Sequence, residues 1–400
     1  MDLKAGLPWW LIKNGLLLEY NTLTEDLQTE VLIIGSGITG ALAAHYLGKA
    51  GVKCVLVDKR MTGTGSTTAS TAQLQYEIDT YLSDLIGMVG EEHAVESYRL
   101  CLKSITDLEN VISEVGIECG FERRSSLYLA SDKKGLRDLQ REFETRKKYD
   151  LPVEFLDHAA LKKRFKIDRP AALYNQESAQ VDAYKLSQAI LAHHIEHSGL
   201  KVYSHVQISK IKQAKEGVIF RTEEGLTIKA RKVICAPGFE SEFFLKEKVM
   251  DLNSTYVFVS RPVQQPLWNE QSLIWETARP YMYIRTTSDN RVILGGEDEK
   301  FTDPGRRNKL MEKKNQLLLK KFKKLFPTIE LEVDFYWCGT FGETKDGLPY
   351  IGEHKKQPHF YFALGYGGNG ITFSVIAAQI IRDMYLGKEN KAARIFAFDR

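Results

Sequence analysis

The chain has 400 residues, of which 43% are hydrophobic, enough to bury a large core and to form two domains rather than one. Its 55 basic and 52 acidic residues leave a net charge of +3, so we expect no nucleic acid or other polyanion as a partner. The five cysteines are scattered and include no CxxC pair, which argues against a disulfide framework and a zinc site. We therefore expect a cytoplasmic protein without a metal.

The N-terminal segment and one long uncharged stretch bear on membrane association. The first 21 residues contain Trp9 and Trp10 but lack the basic leader and long apolar core of a signal peptide, so we expect them to dock on the folded protein. Residues 360–381 carry no charge, yet four glycines and Asn369 interrupt them. This pattern predicts a strand, a turn and a helix start, and no transmembrane segment.

A glycine cluster at residues 35–40 follows a short run of β-branched and apolar residues and precedes an apolar helical pattern. In this order, Gly35 allows a tight turn, Gly37 lets the backbone approach a pyrophosphate, and Gly40 lets the helix pack closely on the strand. The next predicted strand, 52–57, ends at Asp58, where a carboxylate can accept hydrogen bonds from an adenosine ribose. These features predict a dinucleotide site in a Rossmann-like fold.

The rest of the chain divides into two kinds of segment. A Ser/Thr-rich loop at 62–71, two helical patterns ending near Val115, a charged helix at 133–148 between two short strands, and a helix at 183–197 come first. Strands with few helices between them are predicted at 255–261, 272–277, 281–286, 291–294 and 331–337, which indicates an antiparallel sheet. The final strand, glycine turn and helix return to the nucleotide-binding fold.

Taken together, these segments resemble the D-amino-acid oxidase and glycine oxidase family of FAD enzymes over nearly the whole chain. The motif style is similar to that of amine-oxidising members such as gamma-glutamylputrescine oxidase. Beyond the first glycine turn, the resemblance depends on residues 65–69, 181–183, 234–238, 344–352 and 395–400. It implies an α/β fold in which a Rossmann-like FAD-binding domain is interleaved with an α+β substrate domain built on an antiparallel sheet. The FAD-binding domain would comprise residues 1–85, 158–238 and 338–400, and the substrate domain 86–157 and 239–337.

The resemblance also implies which residues hold the FAD. The candidates are Gly35, Ser36, Gly37, Thr39, Gly40, Asp58, Lys59, Ser66, Thr67, Thr68, Ala72, Gln73, Val206, Ala236, Gly238, Gly368, Asn369, Gly370, Ile371 and Thr372. Asp58 would bind the ribose, and Val206 would contact the adenine through its backbone. The helix that opens near Gly368 would face the flavin pyrimidine ring, where reduction places negative charge that a helix N-terminus stabilises.

The implied reaction is oxidation of a carbon–nitrogen bond in an amine or amino acid, with hydride transfer to flavin N5 and an imine as product. Tyr281, Tyr283 and Arg285 alternate onto one side of their predicted strand. We take Tyr283, Arg285 and Phe341 as candidates for the substrate pocket. For Tyr283 and Arg285, the alternative is cross-strand packing and a surface ion pair.

Relatives hold a substrate carboxylate with cations at positions that correspond to Phe341, Gly368 and Thr372. Because a buried carboxylate without a partner is costly, we expect an amine without a nearby α-carboxylate. If Arg285 has become the carboxylate anchor, D-amino acids or N-methyl amino acids are the alternative. Ile293 stands where a relative has an oxygen-activating lysine. Either oxygen or another compound can therefore be the electron acceptor that reoxidises the flavin. Cys338 lies one place from a flavin-tethering position, and we expect a buried structural thiol.

Three further interpretations remain. We expect the basic stretch 306–324 to form an ordinary amphipathic surface helix. If this helix instead docks on an acidic partner, the protein would be an FAD-bearing subunit or an electron-transfer protein. His193, His194 and His197 are expected at the solvated end of a helix rather than at a metal. An NAD-binding dehydrogenase is the third alternative.

Overall fold

The computed structural model describes residues 2–400; Met1, the first residue of the expected N-terminal segment and FAD-binding domain, lies outside them. Two sheets with helices packed around them give the expected mixed α/β architecture. The strands are β1 (Lys4–Gly6), β2 (Leu27–Ile34), β3 (Cys54–Val57), β4 (Gln73–Leu74), β5 (Glu122–Leu129), β6 (Glu154–Asp157), β7 (Ala171–Gln180), β8 (Lys201–Tyr203), β9 (Ile208–Ala214), β10 (Gly217–Thr222), β11 (Thr227–Cys235), β12 (Asp251–Ser260), β13 (Leu273–Glu276), β14 (Met282–Thr286), β15 (Val292–Glu299), β16 (Val333–Glu343), β17 (Tyr350–His354) and β18 (Gln357–Leu364). The helices are α1 (Trp9–Asn14), α2 (Ile38–Lys49), α3 (Ser66–Ala69), α4 (Leu82–Val89), α5 (Glu91–Val115), α6 (Lys133–Lys148), α7 (His158–Phe165), α8 (Ala183–Ser198), α9 (Glu242–Leu245), α10 (Pro304–Leu325), α11 (Gly370–Tyr385) and α12 (Ala392–Ile395).

The smaller sheet is parallel in its centre, in the order β18, β11, β2, β3 and β8. β3 and the second half of β2 are apolar and fully buried, as expected for strands covered on both faces. Helix α2 packs against both α8 and α11, and all three helices contact this sheet. The carboxyl ends of β2, β3, β11 and β18 meet at one edge, where Gly35, Asp58, Ala236 and Gly365 follow them. In sheets of this kind, that edge is where ligands bind.

The larger sheet has the order β1, β16, β12, β15, β14, β13, β5, β7 and β4, with β6 added beside β7. Neighbouring strands are antiparallel except for β13 and β5, which are parallel. This confirms the predicted antiparallel sheet apart from that pair. The sheet also contains β1, β4, β7 and β16, strands that the sequence assigned wholly or partly to the FAD-binding domain.

Helix α10 covers one face of the larger sheet, where Leu318 and Phe322 join a core with Phe258 and Leu294. The basic stretch is therefore a packed amphipathic helix, and even Arg307 within it is fully buried. The expectation of three solvated histidines needs a correction, because His194 is 4% exposed and its Nε2 lies 3.0 Å from Nδ1 of His45.

Residues 360–381 form the end of β18, a glycine turn and most of α11, as predicted. Within residues 2–400, no helix is both long and apolar enough to cross a lipid bilayer. The N-terminal segment docks as expected: Trp9 and Trp10 are buried, and β1 adds to the edge of the larger sheet beside β16.

Candidate active site

A cavity of about 580 Å³ lies between the carboxyl edge of the smaller sheet and the larger sheet. It is lined by these residues predicted from the sequence: Gly35, Gly37, Thr39, Asp58, Lys59, Ser66, Thr67, Ala72, Gln73, Val206, Ala236, Gly238, Gly368, Asn369, Gly370, Ile371, Tyr283 and Phe341. Five other candidates do not line it: Ser36, Gly40, Thr68, Thr372 and Arg285. The structure thus brings both glycine turns, the Ser/Thr-rich loop, Tyr283 and Phe341 to one cavity.

The first glycine turn is packed too closely for side chains. Gly35 has a φ of +102°, and a Cβ there would lie 2.2 Å from the carbonyl oxygen of Ala236. Gly40 does not line the cavity, but a Cβ on it would lie 1.8 Å from the carbonyl oxygen of Gly35. Gly40 therefore lets α2 approach the turn, which leaves the free N–H groups at the start of α2 beside the cavity.

Asp58 follows β3 and is fixed by backbone and hydroxyl donors. Its Oδ2 accepts hydrogen bonds from the N–H (2.8 Å) and Oγ (2.6 Å) of Ser36, and its Oδ1 accepts one from the N–H of Arg60 (2.8 Å). Ser36 is fully buried and therefore orients Asp58 instead of lining the cavity. The N–H of Val206 donates to the carbonyl of Asp58 at 2.8 Å, which brings these two predicted residues together.

The Ser/Thr-rich loop contributes polar atoms that have no partner in the protein. Oγ of Ser66 and Oε1 of Gln73 are buried, lie in residues that line the cavity, and make no hydrogen bond with residues 2–400. Thr67 accepts a hydrogen bond from the N–H of Ile38 at 3.0 Å, which ties the loop to the start of α2. Thr68 turns away and donates to the carbonyl of Gly65. Orphaned polar atoms beside a helix N-terminus fit a phosphate-bearing cofactor such as FAD.

Arg285 lies elsewhere than the sequence suggested. It is 3% exposed, and its Nη1 donates to the carbonyls of Thr71 (2.8 Å), Ala72 (2.9 Å) and Val181 (2.9 Å). Burial lowers the pKa of this guanidinium to about 9. Arg285 alternates with Tyr281 and Tyr283 along the strand, but the cavity ends before residue 285, so its guanidinium binds carbonyls of the Ser/Thr-rich loop and its continuation.

Two indole groups support the same loop. Nε1 of Trp10 donates to the carbonyl of Ser70 at 2.7 Å, and Nε1 of Trp337 donates to that of Ala69 at 2.9 Å. Together with Arg285, they satisfy four consecutive carbonyls, those of residues 69–72. The sequence alone could not assign this role, since the three donors come from distant parts of the chain.

The second glycine turn leads into α11, whose first residues line the cavity. The N–H of Gly368 donates to Oδ2 of Asp79 at 2.8 Å, and Nδ2 of Asn369 donates to the carbonyl of Glu77 at 2.8 Å. Thr372 is buried, and its hydroxyl donates to the carbonyl of Asn369, so it closes the first turn of the helix rather than facing the cavity.

The larger sheet supplies an aromatic wall. Tyr281, Tyr283, Trp275 and Phe341 all line the cavity, and the two tyrosine rings lie 5.7 Å apart. The Tyr283 hydroxyl lies 3.1 Å from Oγ1 of Thr255, which fixes the ring. Cys338, in contrast, does not line the cavity; its thiol lies 3.6 Å from Oδ1 of Asn308 on α10.

Carboxylates were missed by the sequence reasoning. Glu77, Asp79 and Asp298 line the cavity beside the aromatic wall. Burial raises the pKa of Asp298 to about 7, and Glu343 and Asp79 add to the rise. The alternation of Gln73, Gln75, Glu77 and Asp79, all of which line the cavity, is a period-two polar pattern that could have revealed part of this set.

Comparison with known proteins fits this geometry. Residues 30–384 match the family described as "DAO: FAD dependent oxidoreductase". The gamma-glutamylputrescine oxidoreductase of Escherichia coli K12 is 24% identical over 92% of this chain and 86% of its own length. The glycine oxidase of Geobacillus kaustophilus is 26% identical over 90% of this chain and 93% of its own length. The crystal structure of glycine oxidase from Geobacillus kaustophilus superposes with a TM-score of 0.78 at 22% identity, over 91% of this chain and 96% of that one. This protein therefore belongs to the DAO family of FAD-dependent oxidoreductases.

Proposed function

We propose that this protein oxidises a carbon–nitrogen bond of an amine that carries no α-carboxylate. FAD bound in the cavity supplies the hydride acceptor, its N5 atom. At the substrate, the α-carbon C–H bond breaks and its electron pair leaves with the hydrogen. The nitrogen lone pair forms the C=N bond, and one proton leaves the nitrogen, so the product is an imine that water hydrolyses.

FAD would be held by the cavity-lining residues of the two glycine turns and the Ser/Thr-rich loop, together with Asp58 and Val206. We propose that the first turn and the start of α2 bind the pyrophosphate, and that the start of α11 faces the pyrimidine ring. Arg285, Trp10 and Trp337 would then hold the loop along the flavin edge, without touching substrate. The aromatic wall would exclude water from the reacting carbon.

One observation carries the substrate preference. Among the described cavity-lining residues, the cations are Lys59 and Arg60, and both bond Glu240, at 2.5 and 2.9 Å. These residues adjoin Asp58, at the end assigned to the ribose. The aromatic wall carries carboxylates instead, and Arg285 is committed to backbone carbonyls. A substrate carboxylate against this wall would be buried beside like charges, which is strongly unfavourable.

The test is anaerobic reduction of the FAD-loaded protein by a mixed panel. Butylamine and N-methylbutylamine should bleach the flavin more than tenfold faster than glycine, sarcosine or D-alanine, since an unpaired buried charge costs well over about 1.4 kcal/mol. If an α-amino acid bleaches the flavin fastest, the preference for amines is wrong and the role of Arg285 has to be reconsidered. Repeating the panel in air measures whether oxygen is the electron acceptor.

A second candidate is an FAD-bearing subunit that works with a partner. It is favoured by the exposed end of α10, where Gln316, Leu319, Lys320, Lys323 and Lys324 form a shallow groove. Flavin reduction that requires another protein would support this candidate.

We also propose a cytoplasmic location, which five unpaired, buried cysteines favour. We propose that the FAD-binding and substrate domains are interleaved, with β1, β4, β7 and β16 belonging to the larger sheet.

A further inference from the structure

The aromatic wall and the missed carboxylates occupy the same part of the cavity. Burial raises the pKa of the Tyr281 phenol, and the nearby charges of Asp79 and Asp298 raise it further, which places both carboxylates beside this ring. Tyr283 has the same two carboxylates as neighbours. Aromatic faces together with carboxylates form a typical site for an organic ammonium group.

Two carboxylate oxygens at the lining have no hydrogen-bond partner among residues 2–400: Oδ1 of Asp298 and Oε2 of Glu77. The Glu77 side chain is 1% exposed, with Nη1 of Arg146 at 3.5 Å and Nδ2 of Asn175 donating to its Oε1. Unsatisfied buried acceptors are rare in folded proteins because each costs free energy. Nη1 and Nη2 of the neighbouring Arg146 also have no hydrogen-bond partner, so Glu77 has unused donors beside it. Oδ1 of Asp298 is therefore the atom that indicates a donor not supplied by residues 2–400.

The charge around this cluster is also unbalanced. Asp79 and Glu343 raise the pKa of Asp298, Asp79 also raises the pKa of Glu343, and the cations that face this cluster are Arg279 and Lys300. The guanidinium carbon of Arg279 lies 4.9 Å from the centroid of the Tyr281 ring, and Lys300 is exposed to solvent, so two cations face three carboxylates. An additional positive charge inside the cavity would relieve the repulsion among the three carboxylates.

We propose that the substrate carries a second cationic group, remote from the nitrogen that is oxidised, and that Asp79 and Asp298 bind it against the rings of Tyr281 and Tyr283. This inference rests on the proposed amine oxidation. The substrate class is then an α,ω-diamine or a longer polyamine, with one amine at the flavin and the other at the carboxylates. The groups that face this position are Glu77, Glu343, Arg279 and Lys300 in addition to the two tyrosines.

A metal ion is a less suitable occupant. No group of three or more metal-ligating side chains suitable for an ion occurs in the described part of the chain. Aromatic rings favour alkylammonium ions, whereas Ca²⁺ and Mg²⁺ require several oxygen ligands around them.

The first experiment needs no variant. The FAD-loaded protein is reduced anaerobically with diaminobutane and diaminohexane, with butylamine and hexylamine as matched amines that lack the second charge. At least one diamine should have an apparent dissociation constant about tenfold or more below that of its matched monoamine, as expected for a charge pair in a partly buried site. If no amine reduces the flavin, the proposed function itself fails. If monoamines bind as tightly as diamines, amine oxidation stands and the second-cation site is wrong.

The second experiment measures binding without turnover. FAD-loaded protein reduced with dithionite cannot oxidise an amine, so its thermal stabilisation by a diamine reports binding alone. Asp79→Asn and Asp298→Asn should reduce this stabilisation and raise the dissociation constant of the diamine about tenfold, while leaving that of the monoamine within about threefold. Glu224→Gln, in the exposed β10–β11 turn, is the matched control and should change neither.

The FAD content and melting temperature of each variant show whether it is folded. An equal loss of diamine and monoamine binding in a folded variant would contradict a selective cation site. Unchanged diamine binding in both Asp variants would also overturn the proposal.

Discussion

Gly40→Ala tests whether close packing of α2 on the first turn creates the phosphate site. The new Cβ would lie 1.8 Å from the carbonyl oxygen of Gly35, whereas ordinary contact begins at 3.4 Å. The start of α2 would therefore have to withdraw by about 1.6 Å. Overpacking against backbone, which cannot rotate away as a side chain can, costs about 3 kcal/mol or more.

The displaced helix N-terminus would no longer aim its N–H groups at the pyrophosphate, so we expect FAD affinity to fall at least a hundredfold, the equivalent of about 3 kcal/mol. Gly87→Ala is the matched control, because Gly87 also lies in a helix, is exposed, and has no atom within 4 Å of the position that a Cβ would take. That substitution should raise helix stability by about 1 kcal/mol without changing FAD affinity.

FAD titration of the deflavinated variants, followed by flavin fluorescence, measures both affinities, and thermal unfolding of the same samples measures stability. Near wild-type FAD affinity in a folded Gly40→Ala protein would refute the reasoning, because the phosphate site would then not depend on this helix position.

Three further predictions concern the loop, the buried acid and the cofactor linkage. Arg285→Met should leave the carbonyls of Thr71, Ala72 and Val181 without a donor and lower the free energy of unfolding by about 2–5 kcal/mol, measured by urea denaturation; a selective loss of carboxylated substrates at unchanged stability would instead support the anchor role. The pKa of Asp298 is about 7 in the folded protein against an ordinary 3.8, so its ionisation destabilises the fold progressively as pH rises from about 4 to 7. Asp298→Asn should therefore raise the melting temperature relative to wild type more at pH 8 than at pH 5, and an equal change at both pH values would contradict that titration. Acid precipitation should release the FAD, since the Cys338 thiol faces α10; yellow colour that stays in the pellet would show a covalent link.

The sequence predicted those parts of the molecule whose structure is determined by residues close together along the chain. The strand, glycine turn and helix at residues 31–49 follow from local pattern, because buried parallel strands and helix starts have short, recognisable signatures. The cofactor-binding edge could be predicted for the same reason, since the carboxyl ends of parallel strands meet by topology.

The substrate side could not be predicted in this way. Strand alternation correctly placed Tyr281, Tyr283 and Arg285 on one face, but it cannot show how far along the strand the cavity extends. Asp79 and Asp298 are more than two hundred residues apart and meet only because β15 and the segment after β4 line the same cavity. Such contacts are set by tertiary packing, and a single sequence contains no local signal for them.

The most direct measurement is the stoichiometry of a single anaerobic turnover. The FAD-loaded protein is mixed with one equivalent of a diamine, flavin bleaching is followed by absorbance, and the carbonyl product is quantified after hydrolysis of the imine. We expect one equivalent of aldehyde for each flavin reduced, and slower bleaching when the α-carbon carries deuterium, because that C–H bond breaks as the flavin is reduced. A flavin that no amine bleaches until another redox protein is added, or bleaching without a carbonyl product, would contradict amine oxidation by this chain.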